Sequence, residues 1–499
     1  MNESRLFLRG RQNGLFFHSA LGFFEVFAVH TQSKSARISL ARRRPEGQDH
    51  PMCDTFVATG SFTSSGNMIF GKNSDREPNE SQSLEVHGPR SAQAKRRLTF
   101  IEIPDADAHA VLLCRPFHMF GAEMGLNEHG LVIGNEAVFT KLPRKKKNDG
   151  LTGMDLIRLA LERAKTTDQA VEVITSLLEE YGQDACGGYE DRNMFYDNSF
   201  LIADGKTARV LETAGRYWAS KQFDGYYAIS NGLTIGEDFD LSSKELADRT
   251  LKDGLRKKSQ PMHFAGVFSD TFYTTMGKCR VRRSLSEQRS STLARSGFSV
   301  QEAMAVLRSH NPQHPNDPSR TGMGSLCLHA SGLLTPSQTT ASLVVEVGKQ
   351  GLQKIFATGT ASPCISLFKP VAPPSAKHLL GIEADAPDRP TETGWATPGR
   401  VEDRSLWWQH EGLHRRILAS YAELAPLVLP ERDAAERRFT DGSESNVASL
   451  SEMAFNEHFR LLSLWKERLR DRLKSIAPPM RPLYRRYWSR RNAVLKEAL

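Results

Sequence analysis

The sequence predicts a layered α/β fold followed by a C-terminal helical extension. Apolar runs of strand length come before and after a segment with helical periodicity at residues 153–181, an order typical of sheets covered by helices. Beyond Pro370 the composition changes to a Pro-rich stretch and then to long segments with helical periodicity. These two observations separate a sheet-based domain from a helical one.

The first strands are predicted at the start of the sheet-based domain. Residues 53–59 and 66–72 are predicted to form two strands joined by a turn rich in Gly, Ser and Thr. Residues 98–103 and 109–115 are predicted to form a second pair, and residues 131–136 a further short strand.

The helical segment predicts two helices. Apolar residues recur three to four positions apart through 153–181, and Thr167-Asp168 marks the break, where it could cap the second helix. A short amphipathic helix is predicted at residues 300–308, with Ser299 as its N-cap. The remaining strands are predicted at residues 199–204, 208–213, 226–230, 338–347 and 352–357.

The composition is that of a soluble globular protein. Hydrophobic residues make up 39% of the 499 residues and charged residues 25%, and no apolar run reaches the ~20 residues that a membrane span needs. The net charge is +8, but half of this excess lies in residues 1–51. We therefore predict no nucleic-acid partner and no membrane span.

The six cysteines give no sign of a metal site in the sequence. They stand far apart, no C-x-x-C pair occurs, and no Cys/His group has the spacing of zinc ligands. Free buried thiols are typical of a reducing compartment. We therefore predict no metal, no organic cofactor and a cytoplasmic location, while a targeting segment within residues 1–51 stays open.

A Met-Cys pair at residues 52–53 opens the first strand and directs the functional interpretation. If translation starts at Met52, or if the chain is cut there, Cys53 becomes the N-terminal residue and carries a thiol and a free α-amine. An α-amine titrates near ~7.7–8.0, so it can accept the thiol proton without a His partner. Cys53 is therefore the predicted nucleophile.

Several separated motifs carry a family resemblance. They are residues 69–76 (IFGKNSDR), 120–130 (FGAEMGLNEHG), 134–137 (GNEA), 153–159 (GMDLIRL), 210–219 (VLETAGRYWA) and 362–370 (SPCISLFKP). In this order they resemble the secernins and related dipeptidases, the C69 group of N-terminal-nucleophile (Ntn) hydrolases. The resemblance implies a four-layer αββα Ntn-hydrolase sandwich, here with a C-terminal helical extension.

The resemblance places the Ntn-hydrolase domain at residues 52–370. A Pro-rich linker at residues 371–402 and a helical extension at 403–499 are predicted to follow it. Residues 1–51 match no part of the family, and a mispredicted start, a removed propeptide and a targeting segment stay open as explanations. We expect little fixed structure there.

Charged residues of the second strand are the first candidates to assist Cys53. Related acylases of the superfamily carry G-R-N-x-D at this place, with the Asp holding the catalytic α-amine, and this chain reads GKNSD at residues 71–75. The resemblance therefore implies Asp75 as the partner of the amine, while Lys72 stands where Arg is expected. The cation that lowers the pKa of the thiol could be Lys72 or Arg76.

Asn231 and Arg280 complete the predicted catalytic set. Asn231 follows a strand, as the oxyanion-hole Asn does in the acylases, and an amide N–H is a suitable donor to a tetrahedral oxyanion. A turn Asn before Gly232 is the alternative. Arg280 is a candidate to bind a substrate carboxylate or to activate the thiol, and Arg282 and Arg283 are equal rivals.

Asn73, Asn127 and Glu128 are the predicted substrate-binding residues, through their places in the family motifs. Asn127 and Glu128 belong to a G-x-N-E-x-G turn and could serve that turn alone. His129 in the same turn is interpreted as structural, since an Ntn mechanism does not require a His.

The sequence thus predicts a cysteine-type Ntn hydrolase that cleaves amide bonds through a thioester at Cys53. The resemblance implies a dipeptidase with a small peptide as its substrate. An acylase of N-acyl amino compounds and a non-catalytic, secernin-like interaction protein are the alternatives, and a homo-oligomer stays open.

Overall fold

The computed structural model describes most of the chain from Met52 onward. The described residues are 52–320, 322–332, 335–374, 398–399, 402–440, 446–475 and 482–495. The predicted N-terminal extension and most of the predicted Pro-rich linker lie outside the described residues. In the described part, no helix is long and apolar enough to cross a membrane.

Sixteen strands occur in the described residues, most of them buried along their whole length. They are β1 (Met52–Ala58), β2 (Met68–Arg76), β3 (Gln82–His87), β4 (Lys95–Arg97), β5 (Glu102–Pro104), β6 (Val111–Pro116), β7 (Met124–Asn127), β8 (Val132–Val138), β9 (Asp197–Ala203), β10 (Ala208–Ala214), β11 (Tyr217–Gln222), β12 (Tyr226–Ile229), β13 (Leu241–Ser242), β14 (Gln338–Gly348), β15 (Gly351–Ala357) and β16 (Lys369–Pro370).

Twelve α-helices accompany these strands in the described residues. They are α1 (Gly153–Arg163), α2 (Thr167–Tyr181), α3 (Leu246–Lys252), α4 (Phe264–Phe268), α5 (Thr271–Met276), α6 (Cys279–Leu293), α7 (Val300–Leu307), α8 (Leu406–Leu418), α9 (Tyr421–Leu424), α10 (Leu429–Thr440), α11 (Val447–Ser475) and α12 (Pro482–Arg491).

Two antiparallel sheets form the centre of the fold. The first has the strand order β12-β1-β2-β14-β15-β16, and the second has the order β13-β11-β10-β9-β8-β7-β6-β3. Val57 and Phe70 of the first sheet share one apolar core with Leu126 and Leu201 of the second. The two sheets therefore pack face to face, and this core lies between them.

Helices cover the outer face of each sheet. Ile157 and Ile174, from α1 and α2, share a core with Phe200 of the second sheet. On the other side, Met304 of α7 shares a core with Phe56 of the first sheet. The predicted four-layer αββα arrangement is therefore confirmed.

Side-chain alternation along β1 divides its residues between two layers. Phe56 belongs to the core under α7, whereas Val57 belongs to the core between the sheets. Because alternate residues of a strand share a face, the Cys53 and Thr55 side chains point between the sheets with Val57. The nucleophile candidate thus lies at the edge of the inter-sheet layer.

The C-terminal helices pack on the edge of the first sheet. Helix α11 contacts both β16 and α8, and the indole N–H of Trp407 in α8 donates to the Thr340 carbonyl of β14 at 2.9 Å. The predicted helical extension is confirmed, and the structure shows it docked on the sheet.

Some local predictions differ from the structure. The strands predicted at residues 98–103 and 109–115 do not pair with each other: β5 pairs with β4, and β6 lies between β3 and β7. The N-cap of α2 is Thr166, one residue before the predicted pair. Helix α6 was not predicted, because its arginine-rich sequence has weak apolar periodicity.

Candidate active site around Cys53

Cys53 is buried among polar groups from both sheets. Its side chain is 3% exposed, and its Sγ accepts the backbone N–H of Asp75 at 3.3 Å. On the side of the second sheet, Sγ lies 3.7 Å from a carboxylate oxygen of Glu123, which precedes β7. The thiol therefore has a hydrogen-bond donor on one side and a carboxylate on the other.

Lys72 brings a positive charge into this buried layer. It lies on β2, two residues from Phe70 and on the same face, and its Nζ lies 3.6 Å from the Glu136 carboxylate of β8. Nζ also donates to the Asn135 carbonyl, and Glu136 accepts the Thr55 hydroxyl. Both side chains are fully buried, so the positive charge of Lys72 depends on the acids around it for compensation.

Burial and charge act against each other on the pKa of the thiol. Burial raises the pKa of Cys53 well above its usual value, and Lys72 opposes this shift, while Glu136, Glu123 and Asp75 add to it. Burial also raises the pKa of Glu136 to about 8, again against the effect of Lys72. With its nitrogen held in a peptide bond, Cys53 is therefore a neutral thiol at physiological pH.

Arg282 is the arginine that reaches Cys53. One guanidinium nitrogen donates to the Cys53 carbonyl at 2.9 Å and to the Asp54 carboxylate at 2.7 Å, and the other donates to Asn231 Oδ1 at 2.6 Å. Arg280 lies two residues before Arg282, which is a rotation of about 200° around the axis of α6, and its side chain is therefore exposed. The prediction that Arg280 enters the site is corrected accordingly; its rival Arg283 pairs with Glu287 of the same helix.

Asn231 follows β12 and binds the backbone of Cys53. Its Oδ1 accepts the Cys53 N–H at 3.1 Å, and its amide nitrogen donates to the Ala137 carbonyl at 2.9 Å. Because Oδ1 receives donors from both Cys53 and Arg282, the orientation of the amide is set by its partners. Asn231 thus holds the backbone of Cys53 through its amide oxygen, and its role as a donor to an oxyanion stays a prediction.

Asp75 lies opposite Met52 in the register of β1 and β2, on the outer face of the sheet. Its Oδ1 accepts the Thr339 hydroxyl at 2.6 Å, while its buried Oδ2 has no hydrogen-bond partner among the described residues. Burial, together with the nearby Asp54 carboxylate, raises the pKa of Asp75 well above its usual value. A buried carboxylate oxygen without a donor is costly, and it marks a place suited to a cation.

Arg76 acts on the thiol indirectly, through Glu123. It binds Glu80 at 2.6 Å and Glu123 at 3.1 Å, and all three side chains are almost fully buried. Glu123 therefore links the guanidinium of Arg76 to the Cys53 thiol. Of the two predicted cations, Lys72 lowers the pKa of the thiol directly and Arg76 holds its neighbour.

The three predicted substrate-binding residues have structural partners. Asn73 donates to the carbonyls of Leu307 and Leu326, both at 2.8 Å. Asn127 donates to the carbonyl of Ala164 at the end of α1 at 2.7 Å. The prediction is corrected for these two side chains, because their amides connect strands to neighbouring segments.

Glu128 lies in the same turn as Asn127. Its carboxylate accepts the Ala110 N–H at 3.0 Å and lies 3.8 Å from the imidazole of His109. These partners belong to the turn and to the strand beside it. Glu128 therefore serves the turn in this structure, and its assignment to the substrate site stays a prediction.

Sequence reasoning missed Glu123 and Glu136. Both lie inside motifs of the family resemblance, FGAEMG and GNEA, but neither was singled out. The available signal was a carboxylate set into an apolar strand, since such a residue is almost never buried without a partner.

A surface pocket adjoins the cluster. Its walls are mainly aromatic and apolar and its polar side carries both charges; the lining residues are Phe139, Thr140, Arg144, Lys146, Asp191, Asn193, Met194, Phe195, Tyr196 and Tyr273. Arg76 donates to the Tyr196 hydroxyl at 3.4 Å. The wall of the pocket therefore reaches the Arg76–Glu123 pair behind the thiol.

Solved structures of several amide hydrolases are similar to this chain at low identity. They include the penicillin V acylase from Agrobacterium tumefaciens, with 12% identity, a TM-score of 0.35 and coverage of 64% of this chain and 86% of that one. A mutant of the conjugated bile acid hydrolase from Clostridium perfringens has 13% identity, a TM-score of 0.35 and coverage of 61% and 88%. The Caenorhabditis elegans ortholog of N-acylethanolamine-hydrolyzing acid amidase has 14% identity, a TM-score of 0.31 and coverage of 58% and 92%.

A family model matches the sequence itself over residues 62–314, slightly more than half of the chain. The matched range contains Lys72, Asp75, Asn231 and Arg282 and begins shortly after Cys53. The model is described as acyl-coenzyme A:6-aminopenicillanic acid acyl-transferase, so the finer resemblance to secernins and dipeptidases stays a prediction. The chain belongs to the acyl-coenzyme A:6-aminopenicillanic acid acyl-transferase family.

Proposed function

We propose that this protein is a cysteine-type Ntn amidase that transfers the acyl group of an N-acyl amino compound to the Cys53 thiol and then to water. The observation that carries the proposal is the position of Cys53. Its thiol lies between Lys72, Glu123 and the Asp75 N–H, and its backbone is held by Asn231 and Arg282.

The peptide bond between Met52 and Cys53 has to be absent in the active form. Met52 is buried against Met323 and Leu328, and its sulfur lies 3.4 Å from Arg282. Removal of Met52 would open this space and leave a free α-amine on Cys53. The donorless oxygen of Asp75, opposite Met52 in the strand register, would then have an ammonium as its partner.

The first half of the reaction forms a thioester. The α-amine takes the proton of the Cys53 thiol, and the thiolate attacks the carbonyl carbon of the substrate. The oxyanion of the tetrahedral intermediate is assigned to an N–H of the Asn231 amide nitrogen, whose other N–H donates to the Ala137 carbonyl. When the intermediate collapses, the C–N bond breaks and the leaving amine takes the proton from the Cys53 ammonium.

The second half returns the enzyme to its starting state. The α-amine accepts a proton from water, and the hydroxide attacks the thioester carbonyl. The C–S bond breaks, the acid leaves, and the thiolate recovers the proton from the ammonium. Lys72 stabilises the thiolate in both halves, because its positive charge lowers the pKa of the thiol.

The adjoining pocket supports an apolar acyl group as the part of the substrate that is recognised. Phe139, Phe195 and Tyr273 offer aromatic surface, and such groups favour apolar and aromatic ligands. Lys146 on its polar side suits a carboxylate of the amino compound, while the neighbouring Arg144 pairs with the buried Asp197. We therefore place N-acyl amino acids first among the substrates.

A dipeptidase is the second candidate. The same pocket carries Asp191 beside Arg144 and Lys146, so it presents groups of both signs that match the two charged ends of a dipeptide. The secernin-like motifs favour this substrate too. A small substrate, a cytoplasmic location and the absence of a nucleic-acid partner belong to both candidates and stay proposals.

A substrate panel on protein that begins at Cys53 tests the proposal. N-acyl amino acids of increasing chain length and unsubstituted dipeptides are compared by release of the free amine. We expect the acyl compounds to be cleaved faster, with the rate rising with apolar chain length. Faster cleavage of dipeptides would favour the second candidate. Absence of turnover, together with no labelling of Cys53 by a thiol-directed acylating reagent, would support the interaction protein instead.

A further inference from the structure

A second group of reactive side chains lies in the same domain, outside the Cys53 cluster. His310 follows α7, Cys327 and His329 precede β14, and Cys364 follows β15. The ligating atoms of all four lie within 4.8 Å of one another. The two cysteines and His329 are buried, so three chain segments bring thiols and imidazoles together away from solvent.

The distances within this Cys/His cluster resemble the edges of a tetrahedron around one ion. The Nε2 atoms of His310 and His329 lie 3.1 Å apart, and each thiol sulfur lies 3.4 Å from Nε2 of His329. With Zn–N bonds of about 2.0–2.1 Å and Zn–S bonds of about 2.3 Å, a tetrahedral site has N–N edges of about 3.3 Å and N–S edges of about 3.6 Å. These three edges are therefore within a few tenths of an ångström of that geometry, and the other three are no longer than 4.8 Å.

The outer nitrogens of the two imidazoles have partners outside the cluster. Nδ1 of His310 lies 3.0 Å from the Pro315 carbonyl, which can only accept, so this nitrogen carries a proton. Nδ1 of His329 lies 3.1 Å from Nε2 of His414, which also lies 2.8 Å from the Ser362 hydroxyl, and Nδ1 of His414 lies 3.2 Å from the Glu411 carboxylate. Both Nε2 atoms are therefore turned toward the two thiols.

The two Nε2 atoms lie 3.1 Å apart, close enough to bind one ion together. A chain of carboxylate, imidazole and ligand imidazole, as in Glu411–His414–His329, is the usual outer shell of a metal-bound His. We propose that His310, Cys327, His329 and Cys364 form a structural zinc site. Four protein ligands close the coordination sphere, which is typical of structural zinc and leaves no position for a substrate.

The proposed zinc site connects three loops to the C-terminal extension and to the active site. His414 and Glu411 belong to α8 and approach the site from the helical extension. On the other side, Leu328, between two ligands, accepts the backbone N–H of Thr339 at 2.9 Å, and the Thr339 hydroxyl donates to Asp75. Zinc would therefore hold the segment that positions the Asp75 carboxylate.

Metal analysis of the full chain, purified without chelators, tests the proposal directly. We expect one zinc ion per chain in the wild type and in Cys114→Ser, which changes a buried thiol of β6 outside the cluster. Cys327→Ser and Cys364→Ser should lose the metal. Replacement of zinc by Co²⁺ should give the visible absorption of a tetrahedral site together with a thiolate-to-cobalt charge-transfer band.

The zinc content of the wild-type protein tests the proposal even if the Cys variants fail to fold. After incubation with Zn²⁺ and removal of the free ion, a wild-type zinc content far below one ion per chain would overturn the proposal. Mass-spectrometric detection of a disulfide between Cys327 and Cys364 in the native protein would overturn it as well. Neither result depends on the activity proposed for Cys53.

Discussion

At the scale of single residues, the Cys53 cluster joins one lysine to several buried acids. Lys72 lies against Glu136, while Glu123 and Asp75 also act on the thiol. Although burial opposes it, the charges around Lys72 raise the pKa of this lysine, so it stays protonated. The balance of these charges therefore determines the pH at which the thiol loses its proton.

Replacing Cys53 by Ala should abolish turnover and leave the fold intact. The side chain is small, so we expect the free energy of unfolding to change by no more than about 1 kcal/mol. Activity assays and thermal melts of protein that begins at residue 53 measure the two effects. A rate within about tenfold of the wild type would exclude Cys53 as the nucleophile.

Replacing Lys72 by Met should move the acidic limb of the pH–rate profile to higher pH. The ammonium lowers the pKa of Cys53, so its loss should raise that pKa. Lys72→Arg keeps the charge and serves as the control. An unmoved limb in Lys72→Met would show that this cation does not act on the thiol.

Replacing Asp75 by Asn should move the same limb in the opposite direction. The negative charge raises the pKa of the thiol, and beside a free α-amine it would raise the pKa of the amine as well. The acidic limb reports the coupled pair of Cys53 thiol and α-amine, so it should shift to lower pH. The rate should fall because the amine loses its partner. If position and rate both stay at wild-type values, Asp75 has only a structural role.

At the scale of elements, helix α6 delivers a single arginine to the end of β1. Its Arg282 side chain passes over the outer face of the first sheet to Asp54 and to the Cys53 carbonyl. The other arginines near its start point elsewhere. The rotation of one helix thus selects the residue that orients the nucleophile.

Replacing Arg282 by Met should lower both stability and activity. The change leaves the buried Asp54 carboxylate without its partner, at a cost of about 3–5 kcal/mol. Arg280→Met, two residues away on the exposed face, is the matched control and should behave as the wild type. Equal effects of the two substitutions on the melting temperature would contradict the arrangement of the site.

At the scale of the whole molecule, buried imidazoles attach the helical extension to the sheets. Nε2 of His458 in α11 lies 3.2 Å from His410 in α8, and Nδ1 of His458 lies 3.0 Å from Lys369 of β16. Burial lowers the pKa of His410 to about 3, and burial together with the nearby Lys369 lowers the pKa of His458 well below its usual range. Both imidazoles are therefore neutral in the folded protein.

The stability of the protein should fall as the pH drops below about 6.5. The unfolded chain binds protons at these two histidines near that pH, whereas the folded chain resists protonation down to about pH 3 at His410. The stability that the neutral histidines contribute is fully present above their pKa in the unfolded chain. It is lost as the pH falls from that value toward their pKa in the folded chain. Melting temperatures of wild type and His410→Gln between pH 7 and 5 should differ in slope, with the variant less steep. His314→Gln, in a loop, is the control, and equal slopes for all three proteins would contradict the prediction.

The sequence by itself determined the local elements and indicated Cys53 as the proposed nucleophile. Alternating and three-to-four periodicities depend on neighbours in the chain, so β1, β2, α1, α7 and the capping role of Ser299 could be predicted from local pattern. Cys53 could be singled out because its proposed chemistry depends on the free α-amine that loss of Met52 would leave, and the Met-Cys pair is visible in the sequence.

Only the tertiary structure decided which side chains surround Cys53. Glu123, Asn231 and Arg282 lie 70, 178 and 229 residues from it in sequence, and sheet pairing and helix rotation bring them together. The proposed zinc ligands come from three separate loops, so their spacing in the sequence carries no zinc signature. Local periodicity indicates the face on which a side chain lies, whereas the packing of the layers determines which residues contact that face.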